Sequence, residues 1–213
     1  MIVQQNNMKD IFFEGIIKKN PVIFLGLGIS PVIIAAAYLK SAILMAIITS
    51  AALISVAVAA SLIRNKKISS LMRPIIIVMV STIVTLIAMK IMETFAPGTI
   101  ENLGLILPMT ALESIILIYF DKNYVLELKH AVVNSLGQSI GFSLVICIVA
   151  VIREALSYGT IYGMDLPFDF YTSVLATPFG GFIILGFTSA GINFIYNLIK
   201  KVKKNKSTEE TSI

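Results

Sequence analysis

Apolar residues run through this chain in long unbroken blocks, and the charged residues fall between the blocks. Positions 20–39 hold no charge, nor do positions 41–63 or 170–199. A helix that crosses the ~30 Å hydrocarbon core of a bilayer needs about 20 mostly apolar residues at a rise of ~1.5 Å each. Six blocks meet that requirement, at about 21–39, 41–63, 74–95, 102–120, 131–152 and 172–199. The last is long enough to tilt or to be interrupted at Pro178-Phe179-Gly180-Gly181. The pattern predicts an all-α, polytopic membrane protein with six transmembrane helices over residues 20–200. Ahead of them, residues 1–19 are polar, with Ile11, Phe12, Ile16 and Ile17 at helical spacing. That predicts an amphipathic N-terminal segment lying in the interface. Residues 201–213 are basic and then polar and predict a tail without fixed structure.

Composition removes the soluble classes. Of 213 residues, 57% are apolar and 14% charged, and the mean hydropathy is +0.90. Soluble domains carry roughly 45–50% apolar and about 25% charged residues. The net charge of +5 does not indicate nucleic acid, because the basic residues sit in short clusters between spans. With the N-terminus in the cytoplasm, the inner side receives Lys9, Lys18, Lys19, Arg64, Lys66, Lys67, Arg73, Lys122, Lys129, Lys200, Lys201, Lys203, Lys204 and Lys206. Only Lys40, Lys90 and Arg153 remain for the outer side. Cytoplasmic loops of membrane proteins are enriched in Lys and Arg, so six spans with both termini cytoplasmic is the expected topology. A longer outer loop is expected at about 156–171, with Gly159, Gly163, Asp165, Pro167 and Asp169. No removable signal peptide is expected, since no short apolar core is followed by small residues at a cleavage point. The single cysteine, Cys147, lies in an apolar stretch and reads as a packing residue.

Two spans carry helix breakers in their interiors. The first contains Gly26, Gly28 and Pro31, and the fourth contains Gly104 and Pro108. Proline removes a backbone hydrogen bond inside a helix, and glycine lowers the cost of leaving helical geometry. Backbone groups freed in lipid must be satisfied by protein or by a water-lined cavity. The two breaks occupy equivalent places, first of spans one to three and first of spans four to six. Three is an odd number, so the second half enters from the opposite side. That is an inverted 3+3 repeat with a midplane site where the broken helices meet.

Several motifs, in their order and spacing, are shared with a known family. They are Lys19-Asn20-Pro21 leading to Gly28-Ile29-Ser30-Pro31; the run Arg73-Pro74-Ile75-Ile76-Ile77-Val78-Met79-Val80; Leu103-Gly104-Leu105-Ile106-Leu107-Pro108; Arg153-Glu154-Ala155-Leu156 with Gly159-Thr160; and Pro178-Phe179-Gly180-Gly181-Phe182. Over about residues 9–200 the chain resembles the six-span membrane subunits of the Rnf and Nqr ion-translocating electron-transport complexes, of the kind known as RnfE in the one and NqrD in the other. The resemblance implies the prokaryotic cytoplasmic (inner) membrane and a sister six-helix subunit of opposite orientation. It also implies complex partners that contain flavin and iron–sulfur centres. In the family, each sister subunit supplies two cysteines, one per broken helix, and the four thiolates hold a [2Fe–2S] cluster at the membrane midplane.

The two ligand positions are Ser30, just before Pro31, and Ser114, six residues after Pro108. Thiolate is the usual iron–sulfur ligand, and an aliphatic hydroxyl is far harder to deprotonate than a thiol of pKa ~8.5. The chain is therefore expected to bind no cofactor of its own. A cluster ligated by serine or wholly by a partner is the alternative that keeps electron transfer here.

Glu113 is the sharpest anomaly in the apolar pattern, since a central intramembrane acid costs about 2.5–3.5 kcal/mol on insertion scales. It reads as an ion contact or proton carrier, or as a neutral acid bonded to a freed carbonyl or paired with Lys90. Thr110, Ser30 and Ser114 add hydroxyls to the same region, as further ion-pathway groups or as polar glue between helices. Lys90 and Glu93 read as a local pair, and Arg153-Glu154 as a structural pair orienting the outer loop. No metal site is expected, at His130 or elsewhere. The resulting expectation is a non-catalytic membrane subunit of an Rnf- or Nqr-like translocase. The rival is a stand-alone inverted-repeat transporter or channel with Glu113 as coupling carboxylate.

Overall fold

Two long apolar helices, α3 (Leu39–Ile63) and α8 (Leu128–Tyr158), run side by side through the centre of the molecule. The computed structural model describes residues 8–18, 20–121, 124–167 and 172–210. Lys19, Lys122 and Asp169 lie outside the described residues, as do the ends 1–7 and 211–213. The Tyr38 ring, just before α3, stacks on Tyr158 at the end of α8 with centroids 4.7 Å apart. Since the start of one helix meets the end of the other, α3 and α8 are antiparallel. Their shared face is built from small and β-branched residues, among them Ala46, Ala57, Val145 and Val149, all buried. Small side chains let helix backbones approach, which is how helices associate where lipid is as apolar as the protein.

Two further long helices flank this pair. Helix α4 (Met72–Phe95) returns along α3 after a turn at 64–71, and α9 (Pro178–Glu210) follows α8. Both are largely exposed in the lone chain, whereas more than half of α3 and α8 is covered. The outward faces of α4 and α9 carry Ile83, Ile87, Phe182 and Phe187, all exposed. Such faces suit lipid or a membrane partner. The chain is thus a multi-pass membrane protein, with four described helices long and apolar enough to cross a bilayer. A fifth span results if the bent pair Pro97–Leu103 and Ile106–Phe120 counts as one.

The expected first span, 21–39, takes a different form. Its only helical stretch is α2 (Ile29–Ala35), too short to cross a bilayer by itself. The preceding residues 20–28 form turns, because Gly26 and Gly28 adopt φ of 65° and 70°. The left-handed region ends helical geometry and is open to glycine at little cost. The sixth expected span differs too. A 3-10 turn at Ser173–Ala176 precedes it, and Pro178 opens the helix rather than interrupting it. Proline suits the first turn, where its missing N–H has no partner to lose. At the other end α9 continues to Glu210, beyond the apolar run and through residues expected to form an unstructured tail. That stretch contains no proline or glycine, and lysine and glutamate are good helix formers.

The N-terminal segment is helical over Met8–Phe13 (α1) and continues as a π-helical turn, Glu14–Lys18. It docks on α8 through glycine. A Cβ on Gly137 would lie 2.5 Å from the Phe12 carbonyl oxygen, and one on Gly141 would lie 3.0 Å from that of Ile16. At the opposite end of α8, two short strands, β1 (Thr160–Ile161) and β2 (Met164–Asp165), form a hairpin within the expected outer loop. Tyr162 and Gly163 both take positive φ at its tip, as a tight two-residue hairpin turn requires.

Candidate functional site

The two breaks predicted from glycine and proline exist, and they meet. In the first, the buried Asn20 organises the turn: its Oδ1 accepts from the backbone N–H of Val22 (3.0 Å) and Ile23 (3.2 Å). Its Nδ2 donates to the Ile16 carbonyl at 3.1 Å. One side chain thereby covers the entry to the turn and ties it to the N-terminal segment. Gly28 then caps α2, and Pro31 falls within that helix's first turn. The break therefore lies at the glycines, and the proline fixes where the helix resumes.

The second break repeats this plan. Helix α5 (Pro97–Leu103) stops at Gly104, whose φ is 48°. The chain bends by 71° before continuing over Ile106–Phe120. Pro108 again sits in the first turn of the new helix, α6 (Ile106–Met109). A 3-10 turn, Thr110–Leu112, follows, and Glu113 is extended (φ −63°, ψ 147°). Helix α7 (Ser114–Leu117) starts directly after it. This span is interrupted twice, at Gly104 and again at Glu113. The sequence signalled only the first interruption.

The contact between the breaks is a hydrogen bond. The Gly28 N–H donates to Ser114 Oγ at 2.9 Å. Gly28 is buried and packs on the Phe142 ring, where an added Cβ would lie 3.1 Å from Cε2. The family model described as "Rnf-Nqr subunit, membrane protein" matches residues 8–189. The chain belongs to the Rnf-Nqr family. It is 27% identical over 206 residues to the E subunit of the proton-translocating ferredoxin:NAD(+) oxidoreductase complex of Clostridium ljungdahlii, covering 94% of this chain and 95% of that one. It is 32% identical over 161 residues to the E subunit of the ion-translocating oxidoreductase complex of Methanosarcina acetivorans (73% and 74%). Against the E subunit of the Na(+)-translocating ferredoxin:NAD(+) oxidoreductase complex of Acetobacterium woodii it is 29% identical over 192 residues (89% and 97%).

Within this Rnf-Nqr chain the expected site residues separate. Ser114 is engaged with Gly28 across the junction. Ser30, two residues further on, is exposed on α2. Thr110 is buried and donates its hydroxyl to the Leu107 carbonyl at 2.6 Å. Glu113 is half-buried, and its backbone carbonyl accepts from Ile116 (2.8 Å) and Leu117 (3.1 Å). Lys90 is paired with Glu93 at 2.7 Å, so the lysine that sequence offered to Glu113 has a local partner.

Sequence reasoning undervalued Arg153 and Glu154. The two are buried and do not pair with one another; each gathers backbone from distant segments. Arg153 donates from Nε to the Leu175 carbonyl (2.9 Å) and from Nη2 to those of Ala176 (2.7 Å) and Thr177 (2.8 Å). Its Nη1 donates to the Ile33 carbonyl on α2. Glu154 accepts from the Leu39 N–H (2.7 Å) at the start of α3, and from Gly163 N–H (3.0 Å) and the Thr160 hydroxyl (3.3 Å) in the hairpin. Gly180 and Gly181 make room for this arrangement. A Cβ on Gly181 would lie 3.1 Å from Arg153 Nη1, and one on Gly180 would lie 2.4 Å from Leu175 Cα. The available signal was an Arg-Glu dipeptide ending an apolar run together with a Gly-Gly pair downstream. Asn20 was a second omission, as was Gln138, which donates to Tyr124 (2.5 Å) and accepts from Tyr119 (3.4 Å) inside the helix packing.

Proposed function

We propose that this chain is the E-type membrane subunit of an Rnf-like, or Nqr-like, ion-translocating electron-transport complex in a prokaryotic cytoplasmic membrane. It is built as an inverted 3+3 repeat of six spans with both termini cytoplasmic. The observation that carries this reading is the Gly28–Ser114 hydrogen bond, which joins the two breaks into one site. The order of elements supports the repeat: a broken segment followed by two long helices occurs twice, and the equivalent helices α3 and α8 are antiparallel. The names of the relatives in Clostridium ljungdahlii and Acetobacterium woodii support the complex.

A sister six-helix subunit would cover the breaks. Leu105, Met109 and Leu112 are exposed at the second break, and Gly26 has open space at the first. Non-helical backbone at membrane depth persists only where protein or a water-filled cavity surrounds it. Flavin- and iron–sulfur-containing subunits would carry the electrons on either side.

The donor set at the junction does not suit an iron–sulfur half-site. Both family ligand positions are hydroxyls, and Ser114 already receives the Gly28 N–H. The one thiol, Cys147, belongs to neither break. No electron-transfer step is therefore assigned to this chain. Its part is to hold the junction and the ion path against the sister subunit.

Affinity purification of the tagged chain in a gentle detergent tests the proposal. A second multi-span subunit of similar size should accompany it, with flavin and iron in the co-purified material. A chain that purifies alone and conducts ions in proteoliposomes, with flux lost in Glu113→Gln, would replace this reading with that of a stand-alone transporter.

A further inference from the structure

Helix α4 buries only Arg73, Ile77, Ser81 and Thr85. These positions recur every fourth residue and form one stripe along the helix. The stripe meets α3 and the bent segment, since α4 packs on α3, α6 and the Thr110–Leu112 turn. Two of its four members are hydroxyls. On α3, Thr49 is also wholly buried.

None of these three hydroxyls has a hydrogen-bond partner. That is unusual for a helix. Serine and threonine ordinarily return the hydroxyl to the carbonyl one turn back, as Thr188 does to Ile184 (2.7 Å) and Ser143 to Ser139 (2.8 Å) in this chain. Leaving a hydroxyl unpaired in an apolar setting is costly, so three around one helix pair call for an occupant. Their depths agree. In an antiparallel hairpin, residues equally far from the turn lie at the same level. At ~1.5 Å per residue, Thr49 lies about 21 Å from the end of α3 at Ile63, Thr85 about 20 Å from the start of α4 at Met72, and Ser81 about 14 Å. All three fall in the middle part of helices about 36 Å long.

We infer that the α3–α4 interface binds a dehydrated monovalent alkali cation, Na+, through the hydroxyl oxygens of Thr49, Ser81 and Thr85. Oxygen donors suit hard cations, and neutral hydroxyls suit a single charge. A divalent ion would need several carboxylates, whereas the carboxylate nearest in sequence to this packing is Glu113. Glu113 supplies the counter-charge from the bent segment, whose Thr110–Leu112 turn touches both α3 and α4. The transport role of such a site rests on the ion-translocating assignment above; the binding itself does not.

The test is a thermal-unfolding titration of the full-length protein, with whatever subunits accompany it, in NaCl against choline chloride at constant ionic strength. Sodium should raise the unfolding temperature saturably and choline should not. Thr49→Val and Thr85→Val keep side-chain volume while removing the hydroxyl. They should abolish the sodium shift without lowering the unfolding temperature in choline, because an unpaired hydroxyl has been removed. Thr49→Ser and Thr85→Ser should retain the shift, which guards against a variant that simply fails to fold. A parent protein indifferent to sodium, or a shift that survives in Thr49→Val/Thr85→Val, overturns the inference, as would hydroxyls that hold only water. Recovery of partner subunits is read separately in the purification, so failure of the complex assignment and failure of the cation site are distinguishable.

Discussion

Replacing Arg153 by methionine removes the donors that four carbonyls share. Those of Leu175, Ala176 and Thr177 belong to the chain entering α9, and that of Ile33 belongs to α2. The guanidinium is 1% exposed, so water cannot substitute. A hydrogen bond to a charged group contributes about 1.5–3 kcal/mol, but the four bonds act as a unit and do not add. Removing one partner of a buried charged cluster costs about 3–5 kcal/mol. For a chain of this size each kcal/mol lowers the midpoint by about 2–4 °C, so Arg153→Met should lower it by roughly 6–20 °C. The half-buried Cys147 is the only thiol, so a thiol-reactive fluorogenic dye reads unfolding directly. Arg153→Lys should recover only part of the loss, because a single ammonium cannot span carbonyls that a planar fork reaches from three nitrogens. A midpoint for Arg153→Met within about 2 °C of the parent would refute the reasoning.

Two further outcomes follow from the same geometry. Ser114→Ala strands the buried Gly28 N–H, a loss of about 1–3 kcal/mol, while Ser114→Thr keeps an oxygen there; the dye assay should separate the two variants. Gly137→Val forces side-chain atoms onto the Phe12 carbonyl, only 2.5 Å from the Cβ position. The N-terminal segment should then undock, and trypsin should cleave after Lys9 far faster than in the parent.

The long helices were legible because a 3.6-residue repeat buried on nearly every side leaves an unbroken apolar run, which nothing else in the sequence resembles. The breaks were legible as well, since Gly26, Gly28 and Gly104 stand where helix would otherwise continue. The second interruption, at Glu113, was not, because no residue there favours leaving the helix; it follows from packing of the bent segment on α3 and α4. The charge pair was half legible. An Arg-Glu dipeptide at a helix end suggests a mutual ion pair, but only the fold shows that each partner reaches past the other to backbone remote in sequence. The shortness of α2 was likewise hidden, because hydropathy counts apolar residues whether or not they are helical.

The docking of residues 8–20 on α8 also governs the order in which the chain can be built. Translation delivers the amino end first, yet its seat at Asn134, Gly137 and Gly141 emerges more than a hundred residues later, and the acceptor for Gly28 arrives little earlier. Until then the opening turns wait at the translocon without their partners. Neither half can mature ahead of the other, and a ribosome that stalls after α4 leaves a fragment suited to quality-control proteolysis rather than a usable half-protein.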